Sequence, residues 1–435
     1  MTDSIARTTL GLACALLLAA CGGKAELQPA QQSGHAPPLP AARNFLVPPM
    51  QVPDGVGWKD GQTPKVADGL KIEKIADGLM HPRQLYVLPN HDVLVVEANG
   101  PGAEPVTTPK QLIANKIKGQ SGKSGKGGNR ITLLRAGADG RWEKHVFLEH
   151  LHSPFGVQLI GNDLYVANAD AIMKFPYVAG QTRIEAPGVE FTDLPGTINH
   201  HWTKALLASP DGRKLYVGVG SNSNIGENGL EQEYRRAVVL EVDVASAGSR
   251  IYASGIRNPT GLQWEPTTGK LWAIANERDE IGADLVPDYL TSVQEGGFYG
   301  WPYSYYGQHV DTRVKQQRED LVAKAIKPDY ALGSHVAALG LWFSQDNALP
   351  AKYHGGAFVA EHGSWDRSPL SGYAVVYVPF QQGMPAGPPQ TVVSGFHSED
   401  EKQLFGAPVG LAQDASGALL IADDVGDTVW RVSSR

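Results

Sequence analysis

Four short stretches of this 435-residue chain gather side chains that could do chemistry. In GIRNP, residues 255–259, Arg257 offers a planar guanidinium fork suited to a carboxylate or to the paired oxygens of a quinone-type group, and Asn258 sets an amide beside it. NERDEIGADLVPD crowds Glu277, Asp279, Glu280, Asp284 and Asp288 into one loop. Hard oxygens at that density suit calcium, which also accepts backbone carbonyls, although the spacing is not that of an EF-hand and a solvated acidic loop is the plain alternative. TINHHWTK presents His200 and His201, imidazoles whose ordinary pKa of about 6.5 fits a general base; a hydrogen-bonded loop histidine is the competing reading of either one. EHGSWDR supplies Glu361, His362, Trp365 and Arg367.

The elements that must position these groups recur along the chain. A small or turn-forming segment, an apolar strand, a Pro/Asp/Gly turn and a second strong strand ending in polar residues appear in HPRQLYVLPNHDVLVVEANG and again in SPFGVQLIGNDLYVANAD. With the later copies there are six, whose second strands begin near Leu94, Leu164, Leu215, Leu271, Phe358 and Leu419. Radial repetition of short antiparallel strands predicts an all-β fold, a six-bladed β-propeller with long inserted loops; a β-sandwich with recurrent hairpins is the alternative. The composition agrees, since 50 Gly, 30 Pro, 42% apolar and 19% charged residues favour many turns over long helices. In each copy the polar cluster falls where a strand leaves the sheet or the next one starts, so the clusters converge on one face around the channel. Arg257 and Asn258 are thereby expected to meet residues 276–279.

A formal net charge of −7 argues against a nucleic-acid partner, because phosphate binding needs a basic face. The cationic run over residues 110–126, with Lys116, Lys118 and Lys123 among Gly and Ser, reads as a solvated loop, docking of an acidic partner being the alternative. At the N-terminus, Arg7 precedes an apolar run over residues 10–20 that ends in LLAAC at Cys21 and is too short to span a bilayer. It resembles a bacterial lipoprotein signal, with residues 1–20 removed and Cys21 lipidated; an ordinary secretory signal is the alternative. Gly22, rather than Asp, after that cysteine resembles sorting to the outer membrane, which places the chain in the cell envelope on the periplasmic side. The other cysteine, Cys14, lies in the removed segment, so the mature chain is expected to hold no disulfide. Residues 21–60, rich in Pro, Ala and Gln, read as a flexible tether, and residues 61–435 as the propeller.

SGIRNPTGL, NERDEIGADLVPDYL, GGFYGWPYSYYG and EHGSWDRSPLSGY together resemble the soluble pyrroloquinoline quinone (PQQ) dependent sugar dehydrogenases, and within them the sorbosone dehydrogenase-like branch, over residues 65–435. The resemblance implies a six-bladed propeller, PQQ and calcium as cofactors, and a sugar or sugar aldehyde as substrate. Electrons would pass to an acceptor, quinone or cytochrome, that the sequence does not name. It implies His201 as the catalytic base, with His200 or His335 next in line. Arg257 and Asn258 would hold PQQ beside Glu277, Arg278 and Asp279, and the carbonyls of Arg278 and Asp279 would bind the calcium clamped to it. Asp288 and Tyr299 would form a second, structural calcium site, and Arg367 would neutralise a PQQ carboxylate. Two positions depart from the family pattern: Ala407 stands where relatives often carry an arginine facing a PQQ carboxylate, and Asp366 stands where asparagine is common. A calcium-dependent, lactonase-like propeller hydrolase and a non-catalytic propeller lipoprotein are the competing readings. Substrate choice is expected to rest on inserted loops such as residues 308–330.

Overall fold

Strands of four to seven residues, cut by glycine and aspartate turns, are too short to stand alone and must stack against one another. In the computed structural model, which describes residues 24–43, 50–101 and 121–435 apart from 124, 126, 198, 199, 346 and 347, they do so radially. Six antiparallel sheets of four or five strands are found among the described residues, with three two-stranded sheets beside them. Blade 1 runs through Pro82–Val87, Val93–Glu97, Arg130–Ala136 and Trp142–Leu148, and blade 2 through Val157–Ile160, Asp163–Ala167, Ala171–Pro176 and Val189–Asp193. Blade 3 comprises Lys204–Ala208, Lys214–Val219, Val238–Asp243 and Ser249–Ser254; blade 4 comprises Asn258–Trp264, Leu271–Asn276, Pro287–Ser292 and Tyr330–Ser334. Blade 5 contains Ala338–Phe343, Ala357–Glu361, Ala374–Val378 and Gln390–Ser394, edged by Lys65–Val66. Blade 6 contains Pro408–Gln413, Leu419–Asp423 and Thr428–Ser434, and its outermost strand is Leu70–Ala76 from the other end of the chain.

The first strand of every blade lines the central channel, where a cavity of about 220 Å³ is walled by Gln84, Gln158, Leu206, Gln263, Trp342 and Leu411. Second strands such as Val93–Glu97 and Ala357–Glu361 are buried along their whole length, because both faces meet a neighbouring blade. Trp272 and Ile274 of blade 4 thus pack with Leu341 and Val359 of blade 5. The inner strands approach one another so closely that some positions admit no side chain: a Cβ on Gly340 would lie 2.0 Å from the Val409 carbonyl oxygen, and one on Gly410 would lie 2.7 Å from Gln84 Cα.

The stretch expected to be a flexible tether is, where described, laid on the propeller. Ala25 N donates to Ser368 O at 2.8 Å, Arg43 N to Ile281 O at 2.9 Å and Gln51 N to Trp365 O at 3.0 Å, while Gly34 bridges Ala331. The reason is electrostatic as well as geometric: Glu26 N and Leu27 N both donate to the Asp284 carboxylate, which Gln32 also reaches. Cys21 and the signal segment lie outside the described residues. Among the described residues no helix is long and apolar enough to cross a membrane.

Because a Cβ at Gly340 meets backbone rather than a movable side chain, Gly340→Ala should destabilise the fold by about 1–3 kcal/mol or more. Urea unfolding followed by tryptophan fluorescence checks this; a midpoint equal to wild type would show that the inner strands have room to part.

Candidate active site

Register decides which polar groups meet. In blade 4 Asn258 opens the inner strand directly opposite Asn276, which closes the second, so residues flanking the two come together at the same end of the sheet. Asn258 Nδ2 faces Asn276 Oδ1 at 3.4 Å, and Asn276 Nδ2 donates to Ala338 O at 2.6 Å, tying blade 4 to the start of blade 5. Arg257, 2% exposed, is held by Asn224 and by the loop leaving the second strand. Its NH1 donates to Glu277 O at 2.6 Å, its Nε to Asn224 O at 3.2 Å and its NH2 to Asn224 Oδ1 at 2.9 Å, with Asp279 Oδ2 at 3.5 Å. The Glu277 and Asn224 acceptors engage one N–H on each of its three nitrogens. Burial pulls its pKa down, with the Asp279 carboxylate opposing. Above it lies a cavity of about 160 Å³, lined among others by His201, Arg257, Glu277, Asp279, His335 and Trp365.

His201 reaches this cavity just ahead of the inner strand of blade 3. Its Nδ1 lies 2.8 Å from Ser221 O, a group that only accepts, so Nδ1 carries the proton of the neutral ring. Nε2 is then the basic nitrogen. Burial, with the Arg257 cation next, lowers its pKa well below 6.5, so the ring is neutral at ordinary pH. Gly220 makes room for it: a Cβ there would lie 2.4 Å from both His201 Cβ and Asn258 Oδ1. His200 stands edge-on to His201, ring centroids 4.5 Å apart, and lines the same cavity.

The opposite wall is acidic. Asp279, His335 and Asp366 bring ligating atoms within 4.8 Å of one another. His335 Nε2 donates to Gly282 O at 3.0 Å, which turns Nδ1 toward Asp279 Oδ1 at 3.4 Å. Burial opposes charge on this imidazole, but the bond to Asp279 and the Asp366 and Asp279 carboxylates outweigh it and raise its pKa to about 9. Asp366 has the reverse balance: burial raises its pKa, and its Oδ1 has no hydrogen-bond partner. Asp288 staples two loops of the wall, accepting Glu277 N and Ala337 N at 2.7 Å each; burial still lifts its pKa to about 7.

Other expected site residues are placed elsewhere. Arg278, 0% exposed, is turned into the loop, where it binds Glu277 Oε2 at 3.0 Å, Asp311 Oδ2 at 3.2 Å, Pro302 O at 3.0 Å and Ser304 O at 2.7 Å. The Asp279 carbonyl accepts from Arg313 NH1 at 3.0 Å and Asn224 Nδ2 at 3.2 Å, so donors already occupy the oxygen expected to bind calcium. Arg313 comes from the inserted loop expected to set specificity, which here props the site. Arg367 does not face the cavity; it pairs with Asp284 Oδ1 at 2.9 Å beneath the N-terminal segment. Tyr299 and Asp288 do not share a site, because the Tyr299 hydroxyl donates to Ser292 O at 2.6 Å, at the far end of the strand that Asp288 begins. Ala407 is buried, its N–H bound to Asp423 Oδ1 at 2.8 Å. On the blade 1 and blade 6 side, His362 of EHGSWDR joins a group that the motifs did not reveal: Arg83 and Asp424, with Lys123 beside them. Lys123 belongs to the run read as a solvated loop, most of which lies outside the described residues.

The sequence profile of glucose/sorbosone dehydrogenases matches residues 79–364, more than half of the chain. The chain belongs to that family. A TrAA12-like profile matches residues 300–435 as well. An uncharacterised protein of Borreliella burgdorferi is 27% identical over 293 residues, covering 65% of this chain and 76% of that protein. The PQQ-dependent pyranose dehydrogenase of Coprinopsis cinerea is 25% identical over 291 residues, 53% of this chain but only 39% of the relative, so this family member spans well under half of that enzyme. The PQQ domain of a Coprinopsis cinerea pyranose dehydrogenase, solved in its holo form, superposes with a TM-score of 0.70 at 19% identity, covering 88% of this chain and 100% of that domain. That superposition shows the shared propeller. The site of this glucose/sorbosone dehydrogenase family member is read from its own residues.

Glu361 ends the second strand of blade 5 beside this wall, and burial, with Asp288 adding, raises its pKa to about 8. The folded chain therefore keeps a proton that the unfolded chain gives up near pH 4.3, a stabilisation complete below about that pH and lost as pH rises through about 8. Glu361→Gln should lose that dependence, so that wild type falls in stability relative to the variant between pH 5 and pH 8. Parallel urea-midpoint profiles for the two proteins would show that Glu361 does not hold its proton.

Proposed function

We propose that this protein oxidises an aldose or sugar aldehyde with PQQ as cofactor, a sorbosone-like compound being the substrate class the resemblance favours. The observation that carries the reading is the pairing, across one cavity, of a histidine locked with its basic Nε2 free and a buried guanidinium with donors to spare. Glu277, which lines the cavity, has a buried Oε1 without a partner, and Asn258 beside Arg257 has an unpartnered Oδ1, acceptors that a ligand would satisfy. These groups fit a planar quinone with adjacent oxygens. Bound PQQ supplies the electron sink that takes hydride from the sugar carbon.

The chain's own residues supply the rest. His201 Nε2 takes the proton of the hydroxyl on the carbon being oxidised, while Ser221 O keeps the imidazole in the required tautomer. Arg257 stabilises negative charge on a quinone oxygen, in a buried setting where one charge-assisted hydrogen bond counts for more than it would in water. Calcium would be held by the carboxylates of Asp279 and Asp366 beside His335, since Arg313 and Asn224 already donate to the Asp279 carbonyl. A calcium-dependent hydrolase could use this acidic wall, but it leaves Arg257 and Asn258 without a task. Electrons go on to an acceptor, and a lipid on Cys21 would keep the enzyme at the periplasmic face of the outer membrane.

His201→Ala should keep PQQ affinity and lose turnover about a hundredfold or more. Dye reduction over a panel of aldoses and sugar aldehydes, with PQQ and calcium saturating, tests this; normal turnover in the variant would pass the role of base to His200 or His335, and no activity in wild type would favour the hydrolase. Cys21→Ser should move the protein from the membrane fraction to the soluble one. Retention in the membrane would remove the lipid anchor from the account.

A further inference from the structure

We propose that Arg83 and Lys123, gathered with His81 and His362 about Asp424, form an anion subsite that takes a carboxylate of the cofactor in place of the arginine expected at Ala407. The inference rests on the PQQ reading above. The cluster sits against the same cavity. Lys123 Nζ donates to Gly363 O at 2.8 Å, and Gly363 lines that cavity; the Arg83 guanidinium lies 5.6 Å from the ring of Trp202, next to His201. Ala407 adjoins it as well, since Asp424 N donates to Ala407 O at 3.2 Å.

The hydrogen-bonding capacity around this point is not filled. Asp424, 1% exposed, pairs with Arg83 NH1, with His362 Nε2 at 2.9 Å and with His81 Nε2 at 3.4 Å. Burial lowers the pKa of both imidazoles, that of His362 to about 4, so Arg83 is the cation that balances this carboxylate, and the nearby Asp427 carboxylate accepts from His81 N at 3.0 Å. Lys123 pairs with no carboxylate in this cluster; its contacts are the Gly363 carbonyl and the face of Tyr373, 4.4 Å from the ring centroid. Part of the Lys123 side chain reaches solvent, but the ammonium is enclosed, and burial lowers its pKa to about 7. Arg83 Nε, on a residue 7% exposed, has no hydrogen-bond partner. A structural ion pair needs one cation for Asp424, and Arg83 provides it. A second basic group without a carboxylate partner and an unused guanidinium N–H are what a ligand carboxylate would complete. A sugar is neutral and gains little here, whereas PQQ is a polycarboxylate. This arrangement places cofactor charge on the blade 1 and blade 6 side rather than against the Asp279 carboxylate that would repel it.

Direct titration of the apoprotein with PQQ, read by the absorbance of the bound cofactor and by calorimetry, tests the assignment without turnover. Lys123→Gln and Arg83→Gln should each weaken PQQ binding about tenfold or more, while Arg83→Lys and Lys123→Arg, which keep the charge, should stay within a fewfold of wild type. Circular dichroism and thermal unfolding confirm that each variant is folded, and citrate serves as a second, simple polycarboxylate. Wild-type PQQ affinity in both Gln variants would overturn the subsite and leave the PQQ reading standing. Binding of citrate but not PQQ to wild type, lost in the Gln variants, would support the anion subsite and sink the PQQ reading. Binding of neither would overturn both.

Discussion

Ring closure is the constraint on which the rest depends. The strand Leu70–Ala76 pairs with Thr428–Ser434, from Leu70 opposite Ser434 to Ala76 opposite Val429, so the last blade is completed by the beginning of the domain. Without that pairing, blade 6 would present an open edge and blade 1 would lack a neighbour on one side. With it, the inner strands are pressed into a ring tight enough to demand glycine at positions such as 340 and 410. The polar ends of those strands are then carried to one mouth. Arg83 and Asp424, 341 residues apart in sequence, meet because the ring closes between them.

Burying so many ionisable groups around one channel is costly unless each finds a partner, and the partners chosen divide the mouth by charge. On the blade 4 and blade 5 side, Asp279, Asp288, Glu361 and Asp366 are gathered with His335, and burial raises the pKa of Asp288, Glu361 and Asp366. On the blade 1 and blade 6 side, His362, His81 and Arg83 surround Asp424 with Lys123 close by; burial would raise the Asp424 pKa, but those three side chains hold it well below the usual range. Between them stands His201, kept neutral by burial and by Arg257. A cation fits one wall and an anion the other. A cofactor with a quinone edge and carboxylates presents both kinds of feature to such a cleft.

Departures from the expected family pattern acquire a meaning in this setting. Ala407 stands in blade 6 where an arginine is expected, and basic side chains near it come from a blade 1 loop, through Lys123, and from the first inner strand, through Arg83. Asp366 in place of asparagine adds a carboxylate to the Asp279 wall, beside His335. A buried ligand responds to the local field and the hydrogen-bond geometry, not to the strand that supplies them.

The fold was legible in the sequence to within a residue at most second strands: they start at Val93, Asp163, Lys214, Leu271, Ala357 and Leu419, against expected starts near Leu94, Leu164, Leu215, Leu271, Phe358 and Leu419. Strand and turn signals are local, so six repeats of them determine a propeller, and the period-two register fixes that Arg257 and Asn258 meet residues 276–279. The placing of His201 at the mouth followed from the same logic. Side-chain direction did not. Whether Arg278 and Arg367 face the channel or turn into their loops depends on carboxylates that arrive from elsewhere, Glu277 and Asp311 for one and Asp284 for the other. The N-terminal segment reads as tether by composition, yet it is drawn down because Asp284 offers acceptors to its backbone N–H groups. Lys123 reads as solvated because its own run, residues 110–126, contains no acidic partner for it; only the closed ring brings Gly363 and Tyr373 to its ammonium. Local pattern therefore determined the scaffold and which backbone positions surround the channel, and tertiary structure alone decided which charges face it, since a buried charge orients toward partners that lie far away along the chain.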